Sequence, residues 1–294
     1  MLVDEHCTLS SGIRIPRVGL GTWMISDEAV AKVVRDGVEA GYRHIDTAQA
    51  YANERGVGEG VRTSGLARDA IFVTTKLAAE LKDYKSALAS VDVSLRQMGL
   101  DHVDMMLIHS PQPWADFRAG QSFDEGNLEA WRALEDAHKV GKIRAIGVSN
   151  FERADIENLI TNGSVAPMVN QILAHIGSTP FDLIDYCQSE GIVVEAYSPV
   201  GHGAVLKNAN LAGIADKYGV GIAQLSIRYC LQLGLLPLPK TANPDHMRSN
   251  IALDFEISGA DMETLKAVQG GTDYGEASAF PVFGKTRQVE QSAG

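Results

Sequence analysis

Cysteine is scarce in this chain of 294 residues: Cys7, Cys187 and Cys230 are odd in number, far apart and never in C-x-x-C spacing. Nothing in that spacing suggests a metal or redox site, so buried structural thiols are expected at all three positions. Long apolar runs are missing too. No stretch approaches the roughly 18 consecutive apolar residues of a membrane span, and MLVDEHCTLS at the start has neither a basic nor an apolar leader segment. A cytoplasmic protein without a membrane partner is expected. Basic clusters interleaved with aromatics are absent, and 37 acidic against 26 basic residues give a formal net charge of -11. That charge repels a phosphate backbone, so nucleic acid is not an expected partner. With no long low-complexity tract, 45% hydrophobic and 21% charged residues suit a folded chain with a sizeable core.

What the chain does contain is a repeating alternation. After an expected hairpin from Thr8 to Pro16, turning at Ser11-Gly12, short apolar runs rich in β-branched residues alternate with segments of helical period. The runs RVGLGT, RHIDTA, IFVTTKL, VDMMLIHS, AIGVSN, PMVNQI, IVVEAYS and LLPLPK make eight strand–helix units. Tyr84, Leu88, Val91, Leu95 and Met98 recur at three- and four-residue steps before Gly99, the stripe of a helix covering a sheet with one face. Thr179-Pro180 and Asn243-Pro244 read as capped helix starts. Apolar strands linked by helices fit a parallel sheet covered outside, and closure leaves no edge. The predicted fold is a single (β/α)8 TIM barrel domain over residues 1–294, with the N-terminal hairpin and a C-terminal tail. An open doubly wound sheet competes less well. No G-x-G-x-x-G opens a helix after the first strand, and Gly56-Val57-Gly58 lies in a helix-like segment.

In such a barrel the site forms at the carboxyl ends of the strands, so polar residues ending an apolar run are the candidates. Asp46, Lys76, His109, Ser149, Asn150, Gln171, Tyr197 and Lys240 occupy those ends. Any one alone has an ordinary structural explanation; their convergence on one mouth is what points to chemistry. A lysine and an aspartate that both leave water are costly unless paired, so Lys76 and Asp46 are expected to pair. A carbonyl that receives a hydride develops negative charge on oxygen and needs a proton donor. Tyr51 suits that role, with Lys76 expected to favour phenolate and strengthen the acid. Asp46 would keep Lys76 protonated, and His109 would donate a hydrogen bond to the carbonyl oxygen. No metal is required.

These residues resemble the aldo-keto reductase family, and within it the prokaryotic diketogluconate-reductase-like branch. The likeness runs from GLGTW (19–23) through HIDTAQAY (44–51), TTKL (74–77), LIHSP (107–111), GVSNF (147–151), Asn170-Gln171 and AYSP (196–199) to Asn250. It implies reduction of aldehydes or ketones to alcohols by an NAD(P)H-dependent enzyme with a tetrad of Asp46, Tyr51, Lys76 and His109. Tyr51 would be the general acid, and the base in reverse. It also implies that Ser149, Asn150 and Gln171 bind the nicotinamide carboxamide while Tyr197 stacks on the ring. Ser198 and the loop from Val200 would help hold the pyrophosphate, and Gly21 and Thr22 would lie near the nicotinamide end.

Lys240, Thr241 and the helix start at Asn243-Pro244 form a natural anion site for an adenosine phosphate. His246 stands where the family usually has an arginine, and a mostly neutral histidine offers no bidentate fork. Because Lys240 and Thr241 persist, NADPH is favoured, and the histidine makes NADH possible. Asn250 fits the family's adenine contact, whereas Ser249 replaces a usual glutamate. Leu173 and Ser110 also depart from the common glutamate and tryptophan.

Trp23 and Trp114 are expected as pocket walls for the apolar part of a small carbonyl substrate. Tyr274, Phe280 and Phe283 would fold over the mouth. The chain is expected to be a monomer or weak homodimer. The alternative reading is a regulatory or redox-sensing subunit that binds the nucleotide and turns over slowly.

Overall fold

The alternation closes into a ring of parallel strands in the computed structural model, which describes residues 5–284. Residues 1–4 and 285–294 of the expected 1–294 domain lie outside the described residues. Strands β1 (His6–Thr8) and β2 (Arg14–Pro16) pair antiparallel as the N-terminal hairpin. The barrel strands follow as β3 (Leu20–Gly21), β4 (His44–Asp46), β5 (Phe72–Leu77), β6 (Val103–Ile108), β7 (Ile143–Ser149), β8 (Val169–Leu173), β9 (Val193–Tyr197) and β10 (Leu236–Leu238). Each pairs with the next. A parallel bridge between Gly21 and Lys240, with Gly19 N donating to Pro237 O at 3.1 Å and Gly21 N to Pro239 O at 3.0 Å, joins the last strand to the first. Closure leaves no exposed edge to protect.

Helices α1 (Asp27–Ala40), α2 (Glu54–Arg62), α3 (Tyr84–Met98), α4 (Asp124–Lys139), α5 (Arg153–Asn162) and α6 (Phe181–Ser189) each follow a strand. The seventh unit carries α7 (Ala209–Lys217) and α8 (Ile222–Gln232); α9 (Pro244–Ile251) and α10 (Gly259–Lys266) follow β10. Strands read as apolar on both sides because one side fills the barrel and the other meets helices. Every residue of β5 and β6 is buried, Asp104 included. Its carboxylate accepts from Arg68 Nη2 at 2.7 Å, Val73 N at 2.9 Å and Arg144 Nη1 at 2.7 Å, which makes its burial tolerable.

Local signals place the helices. Asp83 caps α3 by accepting from Ser86 N at 3.0 Å, Val91, Leu95 and Met98 face inward, and Gly99 ends the helix at φ 62°. Gly56 and Gly58 lie in α2. A Cβ on Gly58 would stand 2.0 Å from Met98 O, so glycine lets α2 lie against the end of α3. Asn243 accepts from Asp245 N at 2.9 Å with Pro244 as the first residue of α9, as expected.

Two local expectations need correction. Helix α6 starts at Phe181, and no side chain caps it. The Thr179 hydroxyl instead donates to His175 O at 2.9 Å, because the preceding turn is tied by paired backbone bonds between His175 and Ser178. Cys187 and Cys230 are buried thiols, but Cys7 is only half-buried, since it lies on the two-stranded hairpin outside the barrel. Among the described residues no helix is long and apolar enough to cross a membrane.

Candidate active site

Asp46 ends β4, Lys76 is the penultimate residue of β5 and His109 immediately follows β6. Adjacent strands in register bring the first two together inside the barrel. Lys76 Nζ lies 2.8 and 2.7 Å from the two Asp46 carboxylate oxygens and donates to Thr47 O at 2.9 Å. Tyr51 is delivered by a single 3₁₀ turn, Gln49–Tyr51, after β4. Gln49 pins that turn by accepting from Ala78 N at 2.9 Å and donating to Ser94 Oγ at 2.9 Å. The Lys76 ammonium is 3.5 Å from Tyr51 Oη and 5.1 Å from its ring centroid. The His109 ring stands edge-on to Tyr51 at 5.6 Å and to Trp114 at 5.0 Å. Asp46, Tyr51 and His109 therefore meet at the floor of one mouth, with Lys76 fully buried behind them.

Burial works against the Lys76 charge, but the Asp46 carboxylate, joined in the alkaline range where lysine titrates by ionised Tyr51 and Glu195, more than offsets it and holds the amine above the ordinary lysine range. Tyr51 departs from expectation. Loss of water around the phenol raises its pKa above 10, Asp46 adds to this, and the pull of Lys76 is too weak to reverse it. The phenol is thus protonated at neutral pH rather than acidified. Burial and then Lys76 push His109 well below 6.5, so its imidazole is neutral there and carries one N–H.

The floor opens into a cavity of about 370 Å³. Gly21, Ser149, Asn150, Gln171, Tyr197, Ser198, Val200 and Lys240 line it, as do Trp23 and Trp114. Asn150 and Ser198 turn at the strand ends with left-handed backbones, φ 61° and 51°. Ser149 Oγ donates to Gln171 O at 2.8 Å, Asn150 Nδ2 to His109 O at 3.0 Å, and Tyr197 Oη to Asn150 Oδ1 at 2.7 Å, so this wall is a closed polar web. Thr22, Thr241, His246 and Asn250 do not line the cavity. Thr22 is buried and donates to Asp46 O at 2.9 Å. Thr241 Oγ1 accepts from Asn243 N at 3.0 Å as the chain enters α9, His246 is exposed in its first turn, and Asn250 is buried in its last.

The residues present fit a nicotinamide nucleotide. Both N–H groups of Gln171 Nε2 are engaged, with Asp46 and Glu195, which leaves Oε1 as the group it can offer an amide. At the far end Lys240, the only lysine or arginine lining the cavity, is exposed, and its side chain pairs with no described residue, three residues before the α9 N-cap. One end thus suits a carboxamide and the other an anion.

Sequence reasoning missed several participants. Glu195, buried in β9, interrupts IVVEAYS on the same face as Tyr197, and that alternation was the signal for it. His202, Met24, Pro281 and Val282 also line the cavity. Of the three tail aromatics, Phe280 and Phe283 line the mouth, the latter stacked on Trp23 at 5.6 Å. Tyr274 sits behind them, 3.0 Å from His175 Nε2. Leu173 packs against this tail cluster, which suits its lack of charge. Ser110 is buried, and its carbonyl accepts from Lys82 Nζ at 2.7 Å.

Comparison with known proteins shows the family. Residues 17–269 match the model of the Aldo/keto reductase family. The glyoxal reductase of Bacillus subtilis is 38% identical over 268 residues, 90% of this chain and 93% of that protein. A 9,11-endoperoxide prostaglandin H2 reductase of Trypanosoma cruzi is 38% identical, covering 90% and 92% of the two chains. Among solved structures, an aldo/keto reductase from Brucella melitensis superimposes with a TM-score of 0.84 at 36% identity, over 90% of this chain and 98% of that one. A Bombyx mori aldo-keto reductase in complex with NADP gives 0.84 at 32% identity, over 96% and 99%. The chain belongs to the aldo/keto reductase family.

Proposed function

We propose that this protein reduces aldehyde or ketone groups of small molecules to alcohols, with Tyr51 as the proton donor. The observation that carries this reading is the buried Lys76 ammonium held between Asp46 and Tyr51, both of which line one cavity with His109. A bound nicotinamide nucleotide supplies the hydride. The chain's own residues manage the charge that appears on the substrate oxygen. The neutral His109 N–H donates a hydrogen bond to that oxygen, and the protonated Tyr51 hydroxyl delivers the proton. Lys76 stabilises the phenolate left behind until solvent reprotonates it, and Asp46 keeps the lysine charged.

NADPH is the favoured donor. Lys240 beside the α9 N-terminus suits a phosphate, and the Bombyx mori relative is described with NADP. Ser149, Asn150 and Gln171 would serve the carboxamide, Tyr197 the ring face, Ser198 and Val200 the pyrophosphate, and Thr241 and Asn250 the adenosine end. His246 limits the preference. His246→Arg is expected to raise the ratio of kcat/KM for NADPH over NADH about tenfold, the worth of one charge-assisted hydrogen bond. An unchanged ratio would remove His246 from the adenosine phosphate site.

Following cofactor absorbance with NADPH and with NADH against aldehydes, ketones, diketones and keto-sugars tests the function. Steady oxidation of NADPH by at least one carbonyl class is expected. No oxidation with any of them contradicts it.

A further inference from the structure

Glu195 is a carboxyl group fully buried inside the barrel, and no step above uses it. Gln171 Nε2 divides its two hydrogens between Asp46 Oδ1 at 2.9 Å and Glu195 Oε2 at 2.7 Å. Reversing the amide would set Gln171 Oε1 against the Asp46 carboxylate, so these acceptors turn Oε1 away from themselves. Glu195 is what keeps the second N–H from becoming a buried donor without a partner.

The chamber holds little to balance a charge on Glu195. The ionisable groups facing it are His44 and Asp46 from β4 and Lys76 from β5. His44 Nε2 is 3.8 Å from Glu195 Oε1 but bonds Thr74 Oγ1 at 2.9 Å, and Glu195 Oε1 itself has no hydrogen-bond partner. Burial, then Lys76, drives His44 down to about 3, so it is neutral. Lys76 already spends its bonds on Asp46 and Thr47 O.

We infer that Glu195 is a positioning residue that works in its protonated form, holding the Gln171 amide so that its oxygen is presented to the nicotinamide end of the cavity. Loss of that proton places an unpaired negative charge behind the Lys76–Asp46 pair. Burial, followed by repulsion from Asp46, supports this by pushing the Glu195 carboxyl up to about 8 against the opposing pull of Gln171 and Lys76. The cofactor-facing part rests on the function proposed above; the buried proton does not.

Two variants of the full chain test both parts. A carboxyl protonated in the fold and ionised when unfolded stabilises the fold below its ordinary value, and that advantage drains away as pH climbs to the folded value. The Tm of Glu195→Gln relative to the parent is therefore expected to rise between pH 4.5 and about 8 and then level off. The parent-minus-variant infrared spectrum should show a protonated carboxyl band lost over the alkaline end of that range. NADPH affinity, read by quenching of tryptophan fluorescence, is expected to survive in Glu195→Gln, whose amide oxygen can still accept from Gln171. It should weaken roughly tenfold in Glu195→Leu, which strands the Gln171 N–H. A Tm difference that does not change with pH overturns the buried proton, and unchanged NADPH affinity in Glu195→Leu overturns the positioning role. Should Glu195→Leu fail to fold, loss of NADPH affinity in Glu195→Gln counts against the proposal and its retention supports it. If the parent itself binds no NADPH, the proposed function fails, while the Tm and infrared readings still decide the proton.

Discussion

Tyr51→Phe is expected to lower kcat for carbonyl reduction by about 10²–10⁴-fold, the range for loss of a positioned general acid, while NADPH affinity stays nearly unchanged. The phenylalanine keeps the ring that faces His109 at 5.6 Å and removes only the hydroxyl. Because burial keeps the phenol protonated well into the alkaline range, reduction by the parent should not depend on a tyrosine ionising near neutrality. Pre-steady-state absorbance separates the outcomes, since a binding defect would appear as weaker saturation and a proton-transfer defect as a slow chemical step. Substantial retained turnover would remove Tyr51 from its role.

Lys76→Met should cost both stability and activity. Its ammonium is fully buried and shared between two carboxylate oxygens, a backbone carbonyl and the phenol. Removing it leaves the Asp46 carboxylate uncompensated in the barrel, a change worth about 3–5 kcal/mol of unfolding free energy. Urea denaturation of parent and variant checks this. The sign of the pH dependence follows from the raised Lys76 value. Its contribution is complete below the unfolded lysine range and is lost only as pH rises through the folded value, so this contribution to the stability gap should not fade between neutral and mildly alkaline pH. Asp46→Asn, which leaves a buried ammonium beside a neutral amide, should destabilise in the same sense.

The barrel was legible because its strands must be apolar on both sides, and a polar residue ending such a run stands out. Asp46, Lys76 and His109 announce themselves that way, and β4 and β5 then bring the first two together. Tyr51 needed only the short turn after β4. Glu195 escaped because it sits inside its strand rather than at the end, although its two-residue spacing from Tyr197 marks the same inward face. The direction of the Tyr51 shift was not legible either, since the outcome depends on how much water the fold removes and not on which charge lies nearby. Contacts between distant segments were hidden for another reason. No local pattern tells that Phe283 stacks on Trp23, that His202 meets both, or that Thr179 bonds His175 rather than capping α6.

The most direct test of carbonyl reduction at this site is a single turnover. The protein is loaded with one equivalent of NADPH, mixed with a reactive aldehyde such as 4-nitrobenzaldehyde, and the loss of cofactor absorbance is followed in parent and Tyr51→Phe. Rapid oxidation of the bound cofactor in the parent, slowed by orders of magnitude in the variant, is the expected result. Tight binding of NADPH with no oxidation in the parent would contradict it and point to a protein that senses the nucleotide rather than one that spends it.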